Sequence, residues 1–218
     1  AETAFIIKNG DRFDLRWFTP DLEMDLCGHA TLATAHAIKA IMNFGGNKIF
    51  FNTQSGLLTV DVEDDKYILD FPSRPAVEAA LPDEIKLSLS IQPNKTYKAE
   101  RDYMLVYNSE EEIRALVVDQ RQLDTINLGQ GGVAVTAVGE EYDFVSRFFT
   151  PQATILEDPV TGSAHCSLVP YWSQRLGKKE LVACQVSSRP GMLYCTDAGD
   201  RTLIGGQAVT YSIGKIYL

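Results

Sequence analysis

Three landmarks occur twice, in the same order, along the 218 residues. Arg16-Trp17-Phe18-Thr19-Pro20 returns as Arg147-Phe148-Phe149-Thr150-Pro151, an offset of 131. Gly28-His29-Ala30-Thr31-Leu32-Ala33 is answered by Gly162-Ser163-Ala164-His165-Cys166-Ser167 at an offset of 134, and Ser55-Gly56-Leu57-Leu58 by Pro190-Gly191-Met192-Leu193 at 135. Order kept while offsets drift by a few residues is what duplication followed by small loop insertions leaves. The chain therefore reads as two halves of similar fold meeting between Pro82 and Tyr103. Residues 1–95 form the N-terminal half and residues 96–218 the C-terminal half, whose last strand returns to the first.

Both halves carry the same coarse pattern. Strand-like segments Phe5 to Lys8 and Phe13 to Phe18 precede an apolar run from Gly28 to Met42, and strands Ile49 to Phe51, Leu57 to Val62 and Tyr67 to Phe71 follow. The second half offers Val133 to Val138, Asp143 to Phe149, a helical run from Ser163 to Leu176, and strands Leu181 to Val186, Met192 to Cys195 and Gln207 to Ile213. The run Ala30 to Ile41 is rich in Ala and Leu and nearly free of charge, the pattern of a helix buried on most faces. Several strands wrapped about one central helix, twice over, predict an α+β architecture in duplicate, two pseudo-symmetric halves of similar fold. Ser109-Glu110-Glu111-Glu112 predicts the capped start of an exposed helix.

Composition removes several function classes. Lys+Arg 20 against Asp+Glu 29 gives a net charge of −9, and no basic run exceeds the pair Lys178-Lys179, so the clustered cations of a phosphate-backbone binder are missing and no nucleic-acid partner is expected. A hydrophobic fraction of 45% with 22% charged residues is that of a folded globular chain rather than a disordered one. No apolar run approaches the length of about 20 needed to span a bilayer, so no membrane partner is expected. Cys27, Cys166, Cys184 and Cys195 show no CxxC spacing, which predicts reduced thiols in a cytoplasmic protein. Cys27 with His29, and His165 with Cys166, lack a second convergent pair, so no metal is expected. Gly129-Gln130-Gly131-Gly132 leads into the strand-like Val133 to Val138 instead of a helix and fails as a dinucleotide loop.

The two helix starts hold the chemistry. Each begins at a glycine, Gly28 or Gly162, with an acidic residue upstream, Asp25 or Asp158, and the free N–H groups of such a terminus attract anions. A small carboxylate-bearing substrate suits a pair of such termini, while plain N-capping by Asp25 and Asp158 is the structural alternative. His29 lies in the first turn, where the dipole favours a neutral ring able to exchange a proton. His36 reads as a core residue, and His165 as either. Glu2 precedes the first strand, where spacing alone makes it a solvated carboxylate.

Glu2-Thr3-Ala4-Phe5, Asp25 to Ala33, and above all Glu157-Asp158-Pro159-Val160-Thr161-Gly162-Ser163-Ala164-His165-Cys166 resemble the signature of the PhzF family. The resemblance covers essentially the whole chain, and it implies a diaminopimelate-epimerase-like α+β fold, each half a curled, mostly antiparallel sheet around a central helix with the active-site cleft between the halves, and a cofactor-free isomerase that moves a proton on a dihydro-hydroxyanthranilate-like substrate. It implies catalytic roles for Glu2, His29 and Asp158 and substrate binding by Gly28, Gly162 and Ser163, with no cofactor, no metal and a homodimeric state. Family members carry a few dozen residues before the Glu2-Thr3-Ala4-Phe5 segment, so the first half is expected to lack a leading strand and helix. Related two-thiol epimerases place a Cys before each helix-start glycine; here Cys27 fills the first place and Thr161 the second, which disfavours a two-thiol inversion. The alternatives are a two-base epimerase using Glu2 and Cys27, and a non-catalytic small-molecule binder.

Overall fold

In the computed structural model, residues 2–19, 23–24 and 26–217 are described; Pro20 and Asp25, named above, lie outside them. The chain divides into two compact units, residues 1–71 with 204–218 and residues 72–203.

The first unit holds β1 (Thr3–Asn9), β2 (Arg12–Phe18), β3 (Glu23–Met24), α1 (Gly28–Ala40), β4 (Lys48–Thr53), β5 (Gly56–Glu63) and β6 (Lys66–Pro72). The strands run in the order β1-β2-β4-β5-β6, with β3 paired to β2. Alternation makes these strands: Phe13, Leu15 and Trp17 of β2, Leu58, Val60 and Val62 of β5, and Tyr67, Leu69 and Phe71 of β6 are all buried, with more exposed residues between them. On α1 the buried positions are Ala30, Thr31, Thr34, Ala35 and Ile38, a single stripe, while Ala33 and Ala40 are exposed. The absence of charge therefore overstates the burial of this helix. Thr31 and Thr34 sit in it comfortably because their hydroxyls donate to the carbonyls of Cys27 and Ala30, at 2.6 and 2.7 Å.

The second unit holds β7 (Val77–Glu78), α2 (Asp83–Ser88), β8 (Lys95–Ala99), β9 (Asp102–Val106), α3 (Glu110–Ala115), α4 (Gln120–Leu123), β10 (Val133–Val138), β11 (Phe144–Phe149), β12 (Glu157–Asp158), α5 (Gly162–Leu176), β13 (Glu180–Gln185) and β14 (Gly191–Asp197). Its strand order is β14-β13-β11-β10-β9-β8-β7, with β12 paired to β11. Residues 72–95, placed by sequence in the first half, sit here instead. The physical reason is that β7 pairs with β8, and Ile85 and Leu89 are buried in one apolar cluster with Leu105, Ile113 and Val135. The last strand, β15 (Arg201–Gly206), carries the chain back into the first unit. The expected strand Gln207 to Ile213 is absent: residues 207–217 form neither helix nor strand, and Val209 and Tyr211 are 88% and 99% exposed.

The repeat read from sequence recurs as geometry inside each unit. β2 pairs antiparallel with β1 and parallel with β4, and β4 antiparallel with β5; likewise β11 pairs antiparallel with β10 and parallel with β13, and β13 antiparallel with β14. Arg16 on β2 donates to Glu23 on β3, and Arg147 on β11 donates to Glu157 on β12, with Nε to Oε1 at 2.7 Å in both. Residues four beyond each N-cap close back on its carbonyl: the Thr31 hydroxyl on Cys27, and His165 Nδ1 on Thr161 at 2.8 Å. One difference is that β9 runs parallel beside β10, whereas β1 ends the strand order of its unit.

The helix α5 is the core of its unit, with Ala164, His165, Leu168, Val169 and Trp172 buried and the Trp172 ring stacked on Phe144 at 5.8 Å. Pro170 lies inside this helix and cannot donate to the carbonyl of Cys166, four residues back. That carbonyl accepts from the Arg74 backbone N–H at 2.8 Å. The α3 helix starts as expected, with the Ser109 hydroxyl accepting from the Glu112 N–H. The architecture is α+β, and among the described residues no helix is long and apolar enough to cross a membrane.

Candidate active site

In the first unit, the site is built at the start of α1. Cys27 is the N-cap in extended geometry, with no side-chain cap bond, so its sulfur is left for other neighbours. His29 Nε2 lies 2.9 Å from Glu2 Oε2. The Cys27 sulfur lies 3.7 Å from Nε2 and 3.8 Å from Nδ1 of the same ring. Cys27 is buried, whereas the side chains of His29 and Glu2 are 42% and 19% exposed, so solvent reaches the pair. Glu2 is brought there by strand pairing: Thr3, which follows it, is in register with Phe18 at the end of β2. The solvated carboxylate suggested by spacing alone thus lies within hydrogen-bond distance of a helix-start histidine. Gly28, between Cys27 and His29, is half-buried.

In the second unit, Asp158 closes β12 and pairs in register with Phe148. It is not the N-cap of α5; Thr161 is, and its hydroxyl donates to Asp158 Oδ2 at 2.6 Å rather than capping the helix. Gln185, fully buried at the end of β13, binds this turn at three points. Its Oε1 accepts from the Thr161 N–H at 2.7 Å, and its Nε2 donates to the Asp158 carbonyl at 2.7 Å and to the Thr161 hydroxyl at 3.1 Å. The Ser187 hydroxyl donates to the Pro159 carbonyl, and a Cβ on Gly191 would come within 2.4 Å of Val160, so the turn is packed as well as hydrogen-bonded. Gly162 and Ser163 open α5 and are half-buried. Gln185 was not singled out from sequence, because the only local signal is a polar residue ending a buried strand.

The remaining sequence candidates resolve as structure. His165 is fully buried; its Nδ1–H donates to the Thr161 carbonyl, its Nε2 has no partner, and burial lowers its pKa to about 4, so it is a neutral wedge under the turn. His36 is half-buried against Tyr67 and within 2.9 Å of the Thr210 hydroxyl. Burial pushes the Cys166 thiol up to about 12 and raises those of Cys184 and Cys195, which makes them poor nucleophiles. The glycine run before β10 is a packing device: a Cβ on Gly132 would meet the Phe148 ring at 2.4 Å, and its N–H donates to the buried Asp102 carboxylate.

The sequence matches the PhzC-PhzF family, described as phenazine biosynthesis-like protein, over residues 1–214. The chain belongs to the PhzF family. An uncharacterized isomerase of Pseudomonas aeruginosa is 44% identical over 218 residues, covering 100% of this chain and 83% of that protein. A PhzF-family crystal structure from Enterococcus faecalis is 42% identical with a TM-score of 0.94, covering 100% of this chain and 83% of that one. A probable proline racemase from Agrobacterium radiobacter, at 12% identity and a TM-score of 0.62 over 100% of this chain and 76% of that one, shares the fold alone. The PhzF-family signature Asp158 to His165 is therefore also the stretch that Gln185 and Ser187 hold in place.

Proposed function

We propose that this PhzF-family chain is an isomerase that shifts a proton on a small, cyclic, carboxylate-bearing substrate of the dihydro-hydroxyanthranilate type, using side chains alone. The observation that carries the reading is the Glu2–His29 pair at the start of α1. The name isomerase borne by close relatives supports the reaction class. The Glu2 carboxylate takes a proton from one ring carbon, exchanges it as a carboxylic acid with the solvent that reaches the pair, and delivers a solvent proton to another carbon; no net proton is gained or lost. His29 and Asp158 orient the substrate and stabilise the charge that spreads through it while the proton is on Glu2. Ser163 and the free N–H groups at Gly28 and Gly162 bind the substrate carboxylate, as helix starts bind anions.

The test is incubation of the natural protein with a dihydro-hydroxyanthranilate in D2O, following deuterium incorporation into product. Wild type is expected to label the product, and Glu2→Gln to lower the rate by about 10²–10⁴-fold, the usual worth of a general acid–base group. No exchange by wild type, or undiminished exchange by Glu2→Gln, overturns the reading. Cys27, clustered with Glu2 and His29, favours one second reading, a two-base epimerase, which deuterium entry at an amino-acid Cα distinguishes from the first.

A further inference from the structure

Proton transfer by Glu2 leaves Cys27 without a task, yet its sulfur faces the same histidine. Glu2, Cys27 and His29 each present one donor atom, and these lie within 4.8 Å of one another; among the described residues they are the only such group of three. We propose that these three side chains form a binding site for a thiophilic divalent cation of the Zn²⁺ class, and that the bound ion reversibly blocks the acid–base pair. The blocking effect rests on the isomerase reading; the binding does not.

The donor atoms suit such an ion. Bonds of about 2.0–2.3 Å in tetrahedral geometry set ligand atoms roughly 3.3–3.6 Å apart. Here His29 Nε2 is 2.9 Å from Glu2 Oε2 and 3.7 Å from the Cys27 sulfur, which is also 3.8 Å from Nδ1, so the ring has to turn to aim Nε2 at an ion shared with the sulfur. The set is held before the ion arrives. Cys27 and His29 are two residues apart at one helix start, and β1–β2 register carries Glu2 to them. A sulfur, a nitrogen and one carboxylate select Zn²⁺ over Mg²⁺ or Ca²⁺, which demand oxygen. Three protein ligands leave a fourth position for water, and the half-exposed His29 gives the ion a way in. On binding, the Cys27 thiol releases its proton to solvent. The His29 ring stays neutral and coordinates through Nε2, with its proton on Nδ1. The thiolate and the Glu2 carboxylate balance the two positive charges, and the ion replaces the ring proton that linked Glu2 to His29. By sequence Cys27 and His29 lack a second convergent pair; the fold brings them one further donor, Glu2.

Metal-stripped protein titrated with Co²⁺ as the probe is expected to show the sulfur-to-cobalt charge-transfer band and the intense visible bands of four-coordinate cobalt, with one ion per chain and competition by Zn²⁺ but not Mg²⁺. Cys27→Ser should abolish the sulfur band and weaken Zn²⁺ binding more than about tenfold, and His29→Ala should weaken it similarly. Circular dichroism verifies that both variants fold. The absence of the sulfur band in folded wild type, or unchanged Zn²⁺ affinity in Cys27→Ser, overturns the proposal. In the D2O assay Zn²⁺ should stop exchange by wild type, and a chelator should restore it. If no substrate exchanges at all, the isomerase reading fails while the cobalt spectrum still decides the metal site; if exchange proceeds unaltered in excess Zn²⁺, the metal proposal fails alone.

Discussion

Gln185 is the residue on which the second-unit signature turns. Truncation to Ala would leave the buried Thr161 N–H without its Gln185 partner, at about 1–3 kcal/mol, and would remove a donor from the part-buried Asp158 carbonyl. Gln185→Ala is expected to lower the urea midpoint accordingly. It should also slow deuterium exchange through a misplaced Asp158, with Gln185→Glu, which keeps an acceptor but loses the donor, in between. His165 makes a different prediction. Its ring is held neutral, with a native pKa of about 4 against an ordinary 6.5. A base whose pKa is depressed on folding stabilises the native state fully above pH 6.5, and this contribution is lost as pH falls towards 4, because the unfolded chain takes up the proton first. The loss is at most about 3 kcal/mol. His165→Asn, which can still donate to the Thr161 carbonyl, should show a shallower fall in stability between pH 6.5 and 4 in denaturant melts.

Among elements, duplication places one ion pair in two settings. Arg16 with Glu23 ties β2 to β3, but the Arg16 side chain is 59% exposed, so water screens the pair and its removal should cost little. Arg147 with Glu157 ties β11 to β12 with its side chain only 15% exposed, and Nη1 also donates to the carbonyls of Ile113 and Leu116 at the end of α3. Arg147→Ala should cost more, about 1–3 kcal/mol, because the part-buried Ile113 and Leu116 carbonyls lose a donor along with the Glu157 pair. Urea unfolding of the two alanine variants compares them directly, and equal losses would mean that the α3 carbonyls contribute nothing. The expected elements were legible where period and length were both clear: β2, β5, β10 and α5 lie within a residue or two of their sequence ranges. The short α2, α4, β7, β8 and β9 carry too few residues for a period to declare itself, and α2 and β8 fall in the stretch between Pro82 and Tyr103 read only as a junction.

At the scale of the whole molecule, the sequence determined the α+β class, the duplicated order of landmarks, the two helix starts and the family, because each is written in local periodicity or in a contiguous motif. Tertiary structure alone decided which distant residues share a site. Glu2 and His29 stand 27 residues apart, and only the pairing of β1 with β2 brings the carboxylate to the ring. Gln185 reaches Thr161 across 24 residues because β13 runs beside β11. The same cause places residues 72–95 with the second unit and moves the last strand from the alternating Gln207 to Ile213 stretch to Arg201–Gly206. Alternation states which residues could form a strand; the hydrogen-bonding edge that a strand needs comes from elsewhere in the chain, and no local pattern records it.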